Sequence, residues 1–374
     1  MPGYYQSLED RFESRFYVTP RDTPPSRPNA EPTSRRYRYF YGFPPQAAPG
    51  RPHLLFCHGF PDAQSFLRIL TPFVLAGFHC VAPDMLGYGL TSRPSIERIA
   101  EYGAGAQVKD LVGLMESLIG TKDKFVVIGH DWGAYISWFF GVHAPSKIAG
   151  IAGLSVPFTP TLLTSELPDF DELLKRVPSF GYQAFFADPK STKIVENKIE
   201  TFTAIAFIQP RKLAGTRWGK SLNLMPKGRF EQFLTTPQDP ALERTVKESS
   251  LIPPGSEEWE RALRYFDPRR GGTIDGGLNY YRCRQVNWEE GKALRSQKLP
   301  KGPAYLLIMS THDAALPASL GSKMSKHLED PSALTTHIVK GAGHWIHLEQ
   351  PALTVQLIRK WLETQVGWGR AGHL

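Results

Sequence analysis

The sequence contains an aspartate where a nucleophile would be useful, in the turn Gly129-His130-Asp131-Trp132-Gly133. An apolar run at 125–128 precedes the turn and the helical stretch AYISWFFGVHA follows it, which predicts a strand, a sharp turn and a helix. Glycines on both sides of such a turn allow a tight bend that exposes one side chain. A carboxylate attacks carbon by displacement and forms an alkyl ester, which suits epoxides or carbon–halogen bonds better than acyl transfer. The alternative is a tight turn with an incidental aspartate.

A second motif, His58-Gly59-Phe60-Pro61, directly follows the strand that begins the predicted core. This position would bring backbone amides beside the aspartate turn. We expect the amides of Phe60 and Trp132 to form an oxyanion hole, in which each donor is typically worth roughly 10²–10³ in rate. Taken alone, this motif is better explained as a structural turn.

A base and an acid to orient it are also present. His344 lies in Gly341-Ala342-Gly343-His344-Trp345, a glycine-containing loop between the last strand and the last helix, from which an imidazole could reach the turn. Asp313 follows the apolar strand YLLIMS, at the carboxyl end where sites of parallel sheets form. The order along the chain is nucleophile, acid, histidine. In isolation, Asp313 could equally begin a turn before Pro317.

The elements that must position these residues alternate between strand and helix, which predicts an α/β fold with a mostly parallel sheet flanked by helices. The alternation stops in a long helical stretch rich in proline and then resumes, as expected for an inserted helical cap. Tyr37 to Tyr41 has the pattern of an edge strand. The predicted parts are a loosely packed N-terminal arm at 1–36, a core at 37–157, a cap at 158–288 and the rest of the core at 289–374.

Composition limits the class of protein. The formal net charge is +8, but basic residues are dispersed among carboxylates, so no nucleic-acid partner is expected. No apolar run is long enough to span a membrane and the first residues lack a signal-peptide core. Three cysteines without metal-ligand spacing predict no zinc site and a reducing, cytoplasmic location. The final Gly372-His373-Leu374 is a weak peroxisomal signal. We expect no metal and no cofactor, and a homodimer is left open.

From about residue 37 to residue 362 the sequence resembles the soluble epoxide hydrolases of the α/β-hydrolase family. The resemblance is carried by HGFP, PDMLGYG (83–89), GHDWGA, SVPFTP (155–160) and GAGHW, in this order. It implies that two cap tyrosines hold and protonate the epoxide oxygen, and FGYQAFF and LNYYR identify them as Tyr182 and Tyr281. The choice of Tyr281 over Tyr280 rests on the resemblance alone. Pro61 and Trp345, within the shared motifs, are expected in the substrate pocket.

The resulting hypothesis is an epoxide hydrolase that takes a hydrophobic epoxide and water and releases a vicinal diol. A haloalkane or haloacid dehalogenase is the nearest alternative, since such enzymes also use an aspartate nucleophile. It is disfavoured because Trp132 and Tyr135 stand where fluoroacetate-type enzymes carry arginine, and Phe60 stands where haloalkane types usually carry a polar residue. A non-catalytic ligand-binding protein of the same fold is the third alternative.

Overall fold

The structure is a computed structural model, and it describes residues 12–44, 51–161, 164–219, 222–294 and 296–368. Its strands are β1 (Glu13–Val18), β2 (Arg36–Gly42), β3 (His53–Cys57), β4 (Cys80–Pro83), β5 (Phe125–His130), β6 (Ile148–Leu154), β7 (Ala304–Ser310) and β8 (Leu334–Val339). They form one eight-stranded sheet in the order β1-β2-β4-β3-β5-β6-β7-β8. Pairing is antiparallel for β1 with β2 and for β2 with β4, and parallel from β4 to β8.

The core helices and the cap helices occupy different parts of the chain. The helices outside the β6–β7 connection are α1 (Leu67–Leu75), α2 (Ala104–Ile119), α3 (Trp132–His143), α14 (Ile346–Glu349) and α15 (Pro351–Thr364). Those between β6 and β7 are α4 (Phe170–Arg176), α5 (Gly181–Ala187), α6 (Ser191–Asn197), α7 (Ile199–Ala206), α8 (Pro210–Ala214), α9 (Arg229–Thr235), α10 (Pro240–Glu248), α11 (Glu257–Phe266), α12 (Asp275–Arg282) and α13 (Arg284–Lys292). Short 3₁₀ turns lie at 96–102, 145–147, 178–180, 268–270, 318–327 and 331–333.

Hydrophobic clusters lie on both faces of the sheet. Successive residues of a strand point to opposite faces, so Phe125 and Val127 of β5 enter one cluster while Val126 and Ile128 enter the other. A strand buried on both faces reads as a continuous apolar run, as β5 does. The predicted α/β fold with a mostly parallel sheet and flanking helices is confirmed.

The beginning of the chain differs from the sequence prediction. Residues 12–36 of the expected loose arm include β1, which pairs along its length with β2. The strand predicted as an edge, β2, therefore lies inside the sheet, and β1 is the edge. No residue of β1 is buried, and its exposed positions include Phe16 and Val18, so its sequence lacks the pattern of a half-buried strand. Residues 1–11 lie outside the described residues.

The connection from β6 to β7 is helical over its described residues. Its predicted bounds at 158–288 stay a prediction, and α13 (Arg284–Lys292) runs across the second of them. Within the described ranges, no helix has the length and apolar character needed to cross a bilayer. The helices of this connection cover the carboxyl ends of the strands, as shown by Tyr265 of α11, whose hydroxyl donates to Asp84 just beyond β4 at 2.7 Å.

A buried ion pair fixes the start of the core. Arg35 has no exposed surface, and its guanidinium donates to both carboxylate oxygens of Asp110 in α2, at 2.5 and 2.6 Å. Tyr37 donates its hydroxyl to the same carboxylate at 2.8 Å. The pair joins the segment before β2 to the longest core helix.

We expect Arg35→Met to destabilise the fold by about 3–5 kcal/mol, because it leaves the Asp110 carboxylate buried without its cation. Urea unfolding measures the loss. Arg15→Met is the matched control, since Arg15 and its partner Glu13 are exposed on β1, and it should cost about 1 kcal/mol or less. Equal losses for the two variants would show that the buried pair has no special role.

Candidate active site

Asp131 lies in a strained turn between β5 and α3. Its backbone angles are φ 53° and ψ −124°, a conformation that residues with a side chain rarely adopt. The neighbouring glycines permit close backbone approach: a Cβ on Gly129 would lie 2.3 Å from the Gly133 carbonyl oxygen, and a Cβ on Gly133 would lie 1.9 Å from the Cys57 carbonyl oxygen. The turn therefore needs glycine at both positions, and it projects the Asp131 side chain from the carboxyl end of the sheet.

The Asp131 carboxylate has one oxygen bonded to a backbone amide and one directed toward a histidine. The Phe60 amide donates to Oδ1 at 2.7 Å, and the Trp132 amide is a further group that favours the ionised carboxylate and lowers its pKa. Oδ2 lies 3.6 Å from Nε2 of His344. Burial raises the pKa of Asp131, while His344 and the two amides oppose that shift. The Phe60 amide, one of the two predicted for an oxyanion hole, thus bonds Oδ1, while Oδ2 faces His344. The oxyanion hole itself stays a prediction.

Asp313 orients His344. Its Oδ2 lies 2.7 Å from Nδ1 of His344, and because a carboxylate only accepts, Nδ1 carries the proton in this contact. Oδ1 of Asp313 accepts the amides of Ala315 and Leu316, both at 2.9 Å. These bonds fix the carboxylate, and through it the ring, with Nε2 facing Asp131.

The charge on His344 depends on both carboxylates. Burial favours the neutral ring, but Asp313 and then Asp131 outweigh it and raise the pKa of His344 to about 9. With Asp131 ionised, His344 is therefore an imidazolium at neutral pH. Neutralising Asp131 would remove one of these negative charges and lower the pKa of His344. The arrangement can therefore hold a proton on His344 while Asp131 is ionised and release it once that charge is lost.

The two predicted tyrosines face the same cavity, which has a volume of about 150 Å³ and also exposes Asp131 and His344. The ring centroids of Tyr182 and Tyr281 lie 6.1 Å apart. Burial is the main cause that raises the pKa of each hydroxyl, so both are neutral donors at physiological pH. Tyr280 instead points away from the cavity and donates its hydroxyl to Gln107 at 2.8 Å. The structure thus separates the two adjacent tyrosines.

The cavity wall is largely apolar, and sequence reasoning identified few of its members. Pro61 and Trp345 line it, as expected. The wall residues that were missed come mainly from the cap: Phe186, Phe202, Ile205, Met225 and Phe230. The available signal was the amphipathic pattern of the cap helices, but that pattern does not tell which apolar residues pack inside the cap and which line the cavity. A larger open groove between α1 and α15 contains none of the predicted site residues.

One group of potential metal ligands occurs among the described residues. Asp62, His130 and His347 bring ligating atoms within 4.8 Å of one another. Ser65 Oγ already lies 2.6 Å from both Asp62 Oδ2 and His347 Nε2. His130 Nε2 donates to the His344 carbonyl at 2.9 Å. We therefore assign the group to a buried hydrogen-bond cluster beneath the His344 loop.

Comparison with known proteins finds relatives along most of the chain. The model of the alpha/beta hydrolase family matches residues 54–357. "Bifunctional epoxide hydrolase 2" of Sus scrofa is 30% identical over 320 residues, covering 84% of this chain and 52% of the pig protein. "Epoxide hydrolase srdG" of Neurospora crassa is 28% identical over 344 residues, covering 88% of this chain and 93% of the fungal protein. The chain spans about half the length of the pig, mouse and rat relatives.

Solved structures show the same fold. Epoxide hydrolase A of Mycobacterium thermoresistibile superposes with a TM-score of 0.69 at 23% identity, covering 94% of this chain and 99% of the other. Potato epoxide hydrolase I gives a TM-score of 0.68 at 20% identity, with the same coverage. At these identities the likeness concerns the fold.

We expect Asp313→Asn to lower the pKa of His344, because the variant removes the nearest negative charge. NMR titration of labelled histidine measures the change directly. The folded-state pKa of His344 lies above its ordinary value of about 6.5, so its contribution to stability is complete below that pH and is lost as pH rises toward 9. The urea midpoint of the wild type should therefore fall further between pH 6.5 and pH 9 than the midpoint of the variant. Equal losses would contradict this account.

Proposed function

Because this chain belongs to the alpha/beta hydrolase family, and because its cavity combines a carboxylate nucleophile with two buried tyrosines, we propose that it hydrolyses epoxides to vicinal diols. The observation that carries the proposal is that the two carboxylate oxygens of Asp131 have different neighbours. One oxygen is held by the Phe60 amide, while the other lies beside His344 in a cavity that also contains Tyr182 and Tyr281. The names of the pig and Neurospora relatives support the same activity.

In the first step, Asp131 Oδ2 attacks an epoxide carbon. The C–O bond of the ring breaks as the Asp131 ester bond forms, and the alkoxide takes a proton from Tyr182 or Tyr281. A phenol suits this role because it is neutral at working pH and still acidic enough to protonate an alkoxide. The second tyrosine donates a hydrogen bond to the same oxygen and shares the developing charge.

In the second step, the loss of the Asp131 charge lets His344 give its proton to the tyrosinate left by the first step. Neutral His344 then accepts a proton from water as the water attacks Cγ of Asp131. Oδ1 becomes the oxyanion, at the position where the Phe60 amide already donates, and we assign the Trp132 amide as the second donor. Collapse of the intermediate breaks the ester bond and releases the diol with Oδ2, while the water oxygen stays in Asp131. One of the two protons of water completes the diol hydroxyl, and the other returns to His344 and restores its starting charge.

The dehalogenase alternative uses the same nucleophile and base, so the leaving group distinguishes the two. A halide leaves without a proton, and the two tyrosine donors in the cavity favour an alkoxide instead. Turnover of styrene oxide without halide release from short haloalkanes or haloacids would support the proposal. Saturable binding of an epoxide with no product would support the ligand-binding alternative.

The cellular location of the protein stays a prediction. Cys57, Cys80 and Cys283 are free and buried, which supports a reducing compartment and therefore the cytoplasm. The tripeptide behind the peroxisomal alternative, Gly372-His373-Leu374, lies outside the described residues. The substrate we propose is a hydrophobic epoxide, and a homodimer stays a prediction.

The covalent route predicts a specific fate for the oxygen atoms. With excess enzyme and styrene oxide in ¹⁸O-water, the first-turnover diol should contain no label, because its new oxygen comes from Asp131. The label should instead appear in the peptide that contains Asp131. Mass spectrometry of both products checks this. Label in the first-turnover diol would mean that water attacks the epoxide directly.

The tyrosines should act on the first step. We expect Tyr281→Phe and Tyr182→Phe each to slow ester formation by roughly 10²-fold, the lower end of the usual contribution of a general acid. Rapid-quench detection of the ester in a single turnover measures this rate. Tyr280→Phe is the matched control, because its hydroxyl bonds Gln107 outside the cavity, and it should leave the rate nearly unchanged. Similar losses at Tyr280 and Tyr281 would count against the assignment.

A further inference from the structure

The loop that carries His344 is anchored by a third carboxylate, Glu349. Its Oε1 accepts the amide of Gly343 at 2.8 Å, and Gly343 directly precedes His344. We infer that Glu349 is a positioning residue for the base: it fixes the His344 loop through the Gly343 amide, and its charge helps to hold the proton on His344. The inference rests on the proposed function for the role of the base.

The anchoring contact leaves little room for movement. A Cβ at Gly343 would lie 3.0 Å from Glu349 Oε1 and 2.7 Å from Cγ of Pro210, which begins α8 of the cap. The Gly343 carbonyl accepts the hydroxyl of Ser310 at 2.7 Å. Both polar groups of the Gly343 peptide are therefore bonded, one to the end of β7 and one to Glu349. Losing the bond to Glu349 would free one side of the loop.

The charges around Glu349 come from three parts of the fold. His344 in the loop and Arg211 of the cap favour the ionised form of Glu349, and Asp313 at the end of β7 disfavours it. The guanidinium of Arg211 lies against Gly341, where an added Cβ would clash with it. Charges from both the core and the cap therefore act on the ionisation of Glu349.

Partial burial makes the Glu349 charge sensitive to pH. Burial raises the pKa of Glu349 to about 7, although the Gly343 amide, His344 and Arg211 oppose that shift. Glu349 in turn contributes to the raised pKa of His344. Glu349 is therefore largely protonated below pH 7 and ionised above it, and its effect on His344 should appear mainly above pH 7.

A purely structural role makes a different prediction. The oxygen of a glutamine side chain accepts a hydrogen bond from the Gly343 amide as a carboxylate does. If Glu349 serves only as an anchor, Glu349→Gln should therefore leave the pKa of His344 unchanged. Glu349→Ala removes both the bond and the charge. The two substitutions together separate anchoring from electrostatics.

The test is an NMR titration of His344 in labelled wild-type protein, Glu349→Gln and Glu349→Ala, paired with the pH profile of ester hydrolysis. We expect Glu349→Gln to lower the pKa of His344 by roughly one unit, the size of effect expected from one nearby charge. Since hydrolysis needs the neutral ring, its acidic limb should move to lower pH by a similar amount. Glu349→Ala should also reduce the hydrolysis rate at its plateau, because the loop loses its anchor.

Glu363→Gln is the matched control, because it removes the same charge from an exposed position on α15. An unchanged His344 titration in Glu349→Gln, or an equal shift in the Glu363 control, would overturn the inference. The titration does not require turnover. If the wild type opens no epoxide, the proposed function fails, while a shift of His344 in Glu349→Gln would still support the electrostatic link.

Discussion

A negative charge at the buried carboxylate of Asp131 is the constraint on which the rest of the site depends. Its side chain is only 9% exposed, and a buried carboxylate without partners would take up a proton and lose its nucleophilicity. The site offers amides to one oxygen and a cationic ring to the other. This arrangement stabilises the charge while leaving Oδ2 without a strong hydrogen bond. A tighter set of donors would stabilise the carboxylate further but would make it less reactive.

The parallel sheet supplies these partners because its strand ends meet along one edge. Phe60 follows β3, Asp131 follows β5, Asp313 follows β7 and His344 follows β8. Residues far apart in sequence thereby converge without long side chains. The cap completes the cavity with Tyr182, Tyr281 and an apolar wall.

The cap is in direct contact with the loop that carries His344. The indole N–H of Trp345, next to His344, donates to the carbonyl of Ala206 in the cap at 2.7 Å, and its ring stacks on Phe207 with centroids 4.2 Å apart. A shift of this cap segment would therefore also displace the loop that carries His344. Contacts of this kind are invisible in sequence, because nothing local to Ala206 indicates that its carbonyl has a partner 139 positions away.

Much of the fold could be predicted because the sequence patterns that indicate it lie within single elements. A strand buried on both faces, such as β5, is a continuous apolar run, and the turn after it has glycines wherever the backbone approaches another carbonyl. β1 was missed because none of its residues is buried, so it gives no such run, and its pairing with β2 depends on residues distant in sequence. The cap residues that line the cavity were predicted incompletely for the same reason. The sequence of an amphipathic helix shows which face is buried but not which neighbour buries it.

The sequence by itself determined the types and order of the reactive groups: Asp131, then Asp313, then His344, with glycine turns to expose them. The tertiary structure decided which oxygen of Asp131 is free, that Tyr281 and not Tyr280 faces the cavity, and that Glu349 bonds the base loop. The physical reason is that a motif fixes local backbone geometry, whereas the direction of a side chain, its burial and its charge depend on elements brought together by folding.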